Sequence, residues 1–580
     1  MYPLDELSLH ILFTLFLLSY RSNFCKRRAV VIIMTSFKTI IKTPIFISSD
    51  YFIITISLYF GFVLNIPVVT KLIQLASEHG NSTFAYFSPL LLSAAFVLVF
   101  SIFNIPYFRK PFFIFLTTTS AMASYATYKY SVMFDYSMIE NVFETNSGEL
   151  SSYVNWVSCL YVSILGIIPS ILITRVSFKR SKSLKNNVVK KLAVIISALF
   201  IITIVFITSY KNYASVGRNN AYLNRMITPS HIYYSAKYIK NTFFTTPLEY
   251  QIVGEDARIV PAQNGKPSLI VLVVGETARS SNIRYNGYAR NTNPYTENLD
   301  IISFKDTSSC GTATAHSLPC MFSNLDRSNY RKERANAQDN ALDIIKRSGT
   351  SVVWVENDGG DKSVAKHLNK RVITPNDYPD YCSEGVCTDE VMLEEFDKNM
   401  SLEQKKNKLM AFHIIGSHGP TYWKRYPKNQ ELFTPACNQS DIENCSDEEI
   451  SNVYDNTIAH TDYIIAKLIE KLEKYRDQYN VALMYISDHG ESLGENGLYL
   501  HGTPYSLAPN EQTHVPWFLW MDSAFESTYK INRQCLKSKA RNEHVSQDNL
   551  FHSLIDFASV GTSSINKDMS IFSSCRTSDG

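Results

Sequence analysis

Five apolar segments follow one another in roughly the first 210 residues, and they constrain the fold more than any other feature of the chain. A helix needs about 20 apolar residues to cross the hydrocarbon core of a bilayer. One such segment could be a buried core helix, but five in succession predict a membrane domain. The predicted spans are Tyr51–Thr70, Pro89–Ile105, Pro111–Tyr128, Tyr153–Thr174 and Leu192–Ser209.

The charges of the connecting loops predict the orientation of these spans. The segment before the first span and the loops after the second and fourth spans are basic. The loop at residues 175–191 has seven Lys or Arg and no Asp or Glu. The loop after the third span has four acidic residues and one lysine. Because basic loops stay in the cytoplasm, everything after about residue 210 is predicted to lie outside it.

The borders of the membrane half leave alternatives open. Leu7–Tyr20 is apolar but short, so it is either a sixth span or part of an upstream extension with Met34 as the true start. Residues 231–244, "HIYYSAKYIKNTFF", predict either a helix at the membrane interface or a solvated linker. We predict an N-terminal extension (1–45), a membrane domain (46–210), a bridging linker (211–265) and an extracytoplasmic domain (266–580).

The cysteines agree with an extracytoplasmic location. Six of the ten cysteines form three close pairs, which suggests disulfides and an oxidising compartment. A zinc site is the rival interpretation, but the CxxC spacing typical of structural zinc sites is absent from the sequence. A net charge of +3 on 580 residues argues against a general nucleic-acid binder. The close pairs are Cys310/Cys320, Cys382/Cys387 and Cys437/Cys445, and the even remainder of Cys535 and Cys575 permits a fourth bridge.

The second half of the chain predicts an α/β domain. Four apolar runs, "SLIVLVVGET", "TSVVWVEND", "KLMAFHIIGSHG" and "VALMYISDHGES", each end in polar residues and are typical of buried parallel strands. A helical stripe runs from Asp447 to about Lys474. Strands alternating with helices indicate a sheet covered on both faces. In such sheets ligands bind at the carboxyl ends of the strands, so the polar residues are predicted to converge there.

The residue types at these strand ends predict a metal site. Glu276, Asp488 and His489 supply two carboxylates and an imidazole, and one hydroxyl oxygen would complete a four-coordinate, zinc-like site. The stretch "SSCGTATAHSLPCMFS" reads like neither a helix nor a strand, and its two cysteines would hold a threonine hydroxyl against the metal.

Further basic residues suit a phosphate-containing substrate. His418 and His501 could bind a second metal or hold a transferring phosphoryl group, and Lys362 could pair with a phosphate oxygen. The remaining nearby histidines are predicted to be structural or supporting: His316, His413, His460 and His514.

Several motifs together resemble the phosphoethanolamine transferases that modify lipid A, within the alkaline phosphatase and sulfatase superfamily. The motifs are "VVGETARSSNIRYNGYARNTNP", "SCGTATAHSLPCMFS", "IIGSHGPTYWKRYP", "YDNTIAHTD" and "YISDHGESLGENGLYLHGTP". The resemblance implies five membrane helices followed by a periplasmic catalytic domain of the alkaline phosphatase and sulfatase type, with an α/β/α sandwich. It also implies the inner membrane as location.

The resemblance assigns roles to individual residues. It implies that Thr314, four residues after the first cysteine of its motif, is the nucleophile, whereas Thr312 is not. It implies zinc as cofactor, with Glu276, Thr314, Asp488 and His489 as ligands, and Lys362, His418 and His501 as contacts to substrate or to a second zinc. The family's asparagine near the lysine corresponds to Asn357 or Asp358. The three cysteine pairs match family disulfides, and the loop residues Asn141, Thr145 and Glu149 are implied to line the lipid pocket.

The implied reaction moves phosphoethanolamine from phosphatidylethanolamine through a phosphoethanolamine-threonine intermediate to a phosphate of lipid A. The added ammonium group would lower negative surface charge and weaken binding of polymyxins. Alternatives are transfer to a core sugar, Kdo or another glycan, and a membrane-bound phosphatase. A sulfatase is disfavoured because its modified Cys or Ser motif is missing, and a non-enzymatic sensor because every expected ligand type is present. We expect a monomer.

Overall fold

The structure is a computed structural model. It describes residues 44–580 with short gaps, and the predicted N-terminal extension, with Leu7–Tyr20 and Met34, lies outside the described residues. The gaps are residues 79–81, 146–152, 180–183, 221, 247, 384, 403–405, 441 and 578–580. The chain forms two compact units, one of Met1–Met122 with Leu160–Asn219 and one of Ala123–Cys159 with Asn220–Gly580.

The first unit is built from apolar helices. Two short strands, Ile45–Ile47 and Val176–Phe178, pair in parallel beside them. Aromatic side chains fill its interior: Phe60 and Phe100 are fully buried, and their ring centroids lie 5.1 Å apart. The helical segments that lie wholly in this unit are Ser49–Tyr59, Phe60–Leu64, Ile66–Glu78, Thr83–Phe87, Ser88–Ile102, Ser163–Ile167, Ile168–Arg175 and Leu184–Asn219, and two more, Arg109–Tyr130 and Trp156–Val162, lie in it in part.

Three described helical stretches are long and apolar enough to cross a membrane: Thr83–Ile102, Trp156–Arg175 and Lys185–Ala214. Ser49–Leu64 and Ile66–Ser77, bent by 55° at their junction, form a fourth candidate if they count as one span. The predicted third span coincides with Arg109–Tyr130, which is not among these candidates. Its second half, rich in Thr, Ser and Tyr, lowers its mean hydropathy below that of a typical span. The described residues therefore contain three or four candidate spans, whereas the sequence predicts five.

A seven-stranded sheet forms the centre of the second unit. Its strands are β1 (Ser268–Gly275), β2 (Ile302–Phe304), β3 (Ser351–Glu356), β4 (Asn369–Val372), β5 (Lys408–His413), β6 (Asn480–Ser487) and β7 (Trp517–Met521). Their order is β2-β7-β6-β1-β5-β3-β4. Neighbours from β6 to β4 are parallel, whereas β7 is antiparallel to both β6 and β2. All four apolar runs predicted to be strands are strands of this sheet.

Helices cover the sheet, as the alternating pattern predicts. Strand β1 is buried on both faces, because successive side chains point to opposite faces and every residue from Leu269 to Val274 is at most 2% exposed. The predicted long helix spans Asp447–Glu473, and Ser446 and Glu449 form a capping box at its start. The other helices are Leu223–Met226, Lys332–Asn336, Ala341–Arg347, Val391–Leu402, Asn510–Thr513, Ser523–Thr528, Arg533–Asn542 and Leu550–Phe557.

Three further helices of this unit are used below: α1 (Tyr136–Glu144), α2 (Ser230–Phe243) and α3 (Thr314–Met321). Helices α1 and α2 pack together through Phe143 and Tyr238, whose stacked rings lie 4.9 Å apart. Helix α2 matches the segment predicted at residues 231–244. Four small two-stranded ladders complete the unit: Arg258–Ile259 with Val560–Gly561, Thr307–Ser308 with Val545–Ser546, Cys382–Ser383 with Val386–Cys387, and Ser492–Leu493 with Tyr499–Leu500.

Candidate metal centre and nucleophile

The carboxyl ends of β1 and β6 bring two acidic residues side by side. Gly275, the last residue of β1, is in register with Ser487, the last residue of β6. Glu276 and Asp488 follow these residues directly, so parallel pairing carries both side chains to the same edge of the sheet. Both carboxylates are completely buried.

Thr314 and His489 complete this cluster. The Thr314 hydroxyl donates to Oε2 of Glu276 at 3.0 Å, and its oxygen lies 3.3 Å from Nε2 of His489. Nε2 of His489 lies 3.2 Å from Oδ2 of Asp488 and 3.5 Å from Oε1 of Glu276. The four residues predicted as metal ligands therefore meet, although they come from three distant parts of the chain.

The electrostatics of the cluster suit a cation. Burial, and then the charges of Asp488 and Asp358, raise the pKa of Glu276 well above its usual range. Burial lowers the pKa of His489 to about 4. Nδ1 of His489 lies 2.9 Å from the Gly490 carbonyl oxygen, which accepts a hydrogen bond from the Nδ1–H group. The lone pair is then on Nε2, which faces the carboxylates. Among described atoms, Oε1 of Glu276 and Oδ2 of Asp488 are buried without a hydrogen-bond partner. A divalent ion would satisfy these atoms.

The segment around Thr314 differs from its predicted form. The sequence suggests neither a helix nor a strand, but residues from Thr314 to Met321 form the short helix α3. Ala313 before it is extended, so Thr314 is the first helical residue. Hydroxylated residues and the internal proline disfavour a helix locally. Burial of Leu318 and Met321 in the core overrides that preference.

Two connections hold this helix against the sheet. The Cys310–Cys320 disulfide joins the approach to α3 with its last turn. The fully buried Gln547 accepts from the Cys310 backbone N–H at 2.6 Å and donates to the carbonyl oxygens of Ser487 and Asp488. Gln547 thus ties the turn to the end of β6, a role that no local sequence pattern predicts.

Thr312 occupies the same turn but faces elsewhere. Its hydroxyl donates to the Thr503 carbonyl oxygen at 2.6 Å. Of the two threonines in the turn, Thr314 is the one in contact with Glu276 and His489.

His418 and His501 lie beside the cluster. The ring centroids of His489 and His501 are 4.6 Å apart, and those of His418 and His501 are 5.6 Å apart. The completely buried Glu491 places its Oε2 3.2 Å from Nδ1 of His501. The sequence motif contains Glu491, but its pairing with His501 is a contact that only the fold reveals.

The loop after β3 distinguishes Asn357 from Asp358. Nδ2 of Asn357 donates to Oδ1 of Asp389 at 2.9 Å, so this amide supports the loop. Asp358 instead lies close to Glu276 and His413, with one ligand atom from each residue within 4.8 Å of the others. Lys362, in the same loop, donates to the backbone carbonyl oxygen of Glu144 at 3.3 Å.

His413 has a more specific environment than a generic core histidine. Its Nδ1 lies 3.0 Å from both carboxylate oxygens of Glu356. Burial alone would lower the pKa of His413. The charges of Glu356 and Asp358 outweigh burial and raise this pKa to about 9. His316 packs against the Tyr330 ring, Nδ1 of His460 lies 2.6 Å from Oε1 of Gln430, and His514 lies near Asp306.

The loop residues predicted to line a lipid pocket are only partly described. Asn141 lies in α1, but the helix ends at Glu144, and Thr145 adopts an extended conformation. The Thr145 hydroxyl donates to the Asn141 carbonyl oxygen at 2.8 Å. Asn141 and Thr145 therefore do not lie on one continuous helix, and Glu149 lies outside the described residues.

The structure joins all three predicted cysteine pairs by disulfides, and it also contains the permitted fourth bridge. The bridges are Cys310–Cys320, Cys382–Cys387, Cys437–Cys445 and Cys535–Cys575.

Gly416 explains how the loop after β5 approaches the cluster. Its φ of +48° lies in the left-handed region that favours glycine. A Cβ at this position would lie 2.8 Å from the backbone oxygen and 3.0 Å from the backbone nitrogen of Glu276. Only glycine allows the chain to pass this close to Glu276.

Comparisons with known proteins agree with this architecture. Residues 268–560 match the sulfatase family, and residues 92–243 match the family described as phosphoethanolamine transferase EptA/EptB. The chain is 36% identical over 532 residues to the phosphoethanolamine transferase EptA of Escherichia coli K12, covering 89% of this chain and 95% of the relative. It is 32% identical over 497 residues to the phosphatidylethanolamine transferase Mcr-1 of Escherichia coli, covering 82% and 90%.

A solved structure extends the similarity to the whole architecture. The integral membrane lipooligosaccharide phosphoethanolamine transferase A (EptA) from Neisseria meningitidis superposes with a TM-score of 0.88 at 34% identity. The match covers 92% of this chain and all of that one. These similarities establish a membrane domain joined to a sulfatase-like α/β domain. The chain thus belongs to the lipid A phosphoethanolamine transferase family of the alkaline phosphatase superfamily, and it is a phosphoethanolamine transferase.

Proposed function

We propose that this enzyme transfers phosphoethanolamine from phosphatidylethanolamine to a phosphate of lipid A, with Thr314 as the nucleophile. The observation that carries the proposal is the position of the Thr314 hydroxyl, 3.0 Å from Glu276 and 3.3 Å from His489 inside a buried cluster. A solvated threonine would have no comparable group to accept its proton.

The proposed cofactor is one Zn²⁺ held by Glu276, Thr314, Asp488 and His489, whose donor atoms are of the kinds that zinc prefers. When bound, zinc lowers the pKa of a coordinated hydroxyl and offsets negative charge on a phosphoryl oxygen. The chain contributes the orientation: helix α3 and the Cys310–Cys320 bridge fix the Thr314 oxygen before substrate arrives.

The first half-reaction forms the bond between Thr314 Oγ1 and phosphorus and breaks the bond between phosphorus and the diacylglycerol oxygen. Threonine loses a proton and diacylglycerol gains one, so the step balances. In the second half-reaction a lipid A phosphate oxygen bonds to the phosphorus, and Thr314 Oγ1 leaves. His418, His501 and Lys362 are the proposed contacts to the transferring phosphoryl group, because their side chains can donate to its oxygens.

The proposed donor pocket involves Asn141, Thr145 and Glu149, with Glu149 attracting the ammonium headgroup. The contact between Lys362 and the Glu144 backbone supports this assignment, because it links the end of α1 to the loop that carries Lys362. A modified lipid A carries less negative charge, so the proposal includes weaker binding of polymyxins and reduced susceptibility to them.

The proposed location is the bacterial inner membrane, with five spans and the catalytic domain in the periplasm. Four disulfides support an oxidising compartment for that domain. The domain boundaries at residues 46, 211 and 266 and the monomeric state belong to the same proposal.

Mass spectrometry of lipid A tests the proposal directly. A host with unmodified lipid A expresses the wild-type protein, Thr314→Ala or Thr312→Ala. We expect added phosphoethanolamine on a lipid A phosphate with the wild type and with Thr312→Ala, and none with Thr314→Ala at equal membrane abundance. Transfer retained by Thr314→Ala would remove this residue as the nucleophile. Phosphoethanolamine on a core sugar or Kdo would replace lipid A phosphate as the acceptor, and release of free phosphoethanolamine would favour a phosphatase.

A further inference from the structure

A second group of ligand-type side chains adjoins the first. Glu276, Asp358 and His413 each offer one ligand atom, and these atoms lie within 4.8 Å of one another. Among the described residues, this group and the cluster of Glu276, Asp488 and His489 are the two that could hold a metal. The sheet explains why they share Glu276: β1 lies between β6 on one side and β5, followed by β3, on the other.

His413 is oriented as a metal-binding histidine. It is the last residue of β5 and is in register with Glu356, the last residue of β3. Its Nδ1 lies 3.0 Å from both oxygens of the Glu356 carboxylate, which therefore accepts a hydrogen bond from the Nδ1–H group. Nε2 lies 3.7 Å from Oδ2 of Asp358, and a bound metal ion would take the place of the proton on this nitrogen. Histidines that bind metals typically donate their other nitrogen to a carboxylate in this way.

The Glu356 carboxylate is itself held in place. Its Oε2 accepts from Nε1 of Trp354 at 2.9 Å, and its Oε1 accepts backbone N–H groups from residues 358–360. With these donors it has the fixed position expected of a group that orients a ligand rather than of a ligand itself.

Glu276 and His413, two of the three residues, each carry a buried polar atom without a hydrogen-bond partner among the described atoms. Nε2 of His413 is buried, the His413 side chain is fully buried, and this nitrogen has no hydrogen-bond partner among the described atoms. Oε1 of Glu276 is also buried without a hydrogen-bond partner, and it lies 3.5 Å from Nε2 of His489, so it belongs to the first cluster as well. Leaving such atoms without partners is costly in a protein interior. A carboxylate has about four lone-pair sites, so Glu276 can bind one ion on each side.

The local charge also exceeds what one divalent ion can offset. Four carboxylates, those of Glu276, Glu356, Asp358 and Asp488, have at most 6% exposed side chains. One ion at the first cluster compensates two of these charges, and the protonated His413 offsets a third. Buried carboxylates without compensating charge are strongly disfavoured.

We infer that Glu276, Asp358 and His413 bind a second divalent transition-metal ion, of the Zn²⁺ or Mn²⁺ class, with Glu276 shared between the two ions. Two carboxylates and one imidazole are a donor set that these ions accept. The inference rests on the proposed metal site at Glu276, Asp488 and His489, but not on the identity of the lipid acceptor. It differs from a second ion held by His418 and His501.

Metal stoichiometry tests this inference on the full-length protein in detergent. The protein is stripped of metal, reloaded with Zn²⁺ or with Mn²⁺, desalted and analysed for metal per chain. We expect two equivalents for the wild type and one for Asp358→Asn or His413→Gln. Glu356→Gln should weaken binding of the second equivalent about 10- to 100-fold and leave the first unchanged. The nearly isosteric Asp358→Asn decides the outcome if His413→Gln does not fold.

His418→Gln is the matched control, because His418 lies beside the cluster but outside the group of three ligands. It should retain two equivalents. Loss of one equivalent in His418→Gln, with two retained in Asp358→Asn, would overturn the inference and assign the second ion to the histidine pair. One equivalent in the wild type would overturn the second site alone. No bound metal in the wild type would overturn both this inference and the metal-dependent part of the proposed function.

Discussion

Oε2 of the fully buried Glu491 lies 3.2 Å from Nδ1 of His501. A buried carboxylate against one ring nitrogen fixes the tautomer and the orientation of the imidazole. In the proposed reaction His501 contacts the transferring phosphoryl group, and Glu491 would act as a positioning residue for it.

We expect Glu491→Gln to lower kcat/KM for phosphoethanolamine transfer about 10- to 100-fold, the usual effect of losing a carboxylate that orients a histidine. Transfer kinetics of Glu491→Gln, His501→Gln and the double variant provide the measurement. If Glu491 acts through His501, the double variant loses no more activity than His501→Gln alone. Independent, additive losses would contradict this role.

Chelation of metal should both stop transfer and destabilise the protein. Without a cation, the buried Glu276 and Asp488 carboxylates repel each other. We expect the melting temperature to fall by at least about 5 °C with a strong chelator and to recover with Zn²⁺. Asp488→Asn, which relieves the repulsion, should respond much less to the chelator. The proposed cofactor would be contradicted if complete removal of metal changed neither the melting temperature nor the activity of the wild type.

Removal of the Cys310–Cys320 or the Cys535–Cys575 disulfide should distinguish an effect on stability from an effect on the position of Thr314. In the chain-entropy description, bridges with sequence separations of 10 and 40 stabilise the fold by about 3 and about 4 kcal/mol. We expect replacement of either cysteine pair by alanine to lower the melting temperature. Only the Cys310/Cys320 double variant should also lose transfer below its melting transition, because that bridge holds the approach to Thr314. Equal losses of activity in both double variants would argue against a positioning role.

Glu140 in α1 should make stability depend on pH. Burial, opposed in part by Lys332, raises the pKa of its carboxyl to about 7 from an ordinary 4.5. The folded state therefore holds this proton more tightly than the unfolded state, and the free energy of unfolding falls as pH rises from about 4.5 to about 7. The loss reaches about 3 kcal/mol for this one group.

Melting curves between pH 4.5 and 8 measure this effect. Glu140→Gln should flatten the decline in melting temperature, whereas Glu333→Gln, at an exposed position near Lys332, should follow the wild-type profile. A Glu140→Gln profile parallel to that of the wild type would rule out this group as the origin.

The sequence predicts the central sheet well because its strands are continuous apolar runs. The runs that end at Glu276 and Asp488 are apolar throughout, so both are predicted to be buried strands. Parallel pairing of these strands then brings the two acidic residues together. The helix predicted from Asp447 to about Lys474 agrees with the observed Asp447–Glu473, because one stripe of apolar residues runs along its length. These features are local, and a local pattern is sufficient to identify them.

The sequence fails where contacts between distant residues decide the structure. Helix α3 forms despite hydroxylated residues and a proline, because a disulfide and core packing stabilise it. Gln547, Glu491 and the Glu356–His413 pair gain their roles from neighbours that only the fold supplies. The Arg109–Tyr130 helix, identified as a span from its length, is less apolar than the other predicted spans.

Gly416 presses its backbone against that of Glu276 with no room for a side chain. The small size of Gly416 therefore sets the distance between its loop and the backbone of Glu276. A methyl group there would force the two loops apart and displace a carboxylate of the candidate metal centre, while every acidic and histidine residue remained present in the chain. Such a variant would retain every candidate metal ligand and still lose transferase activity.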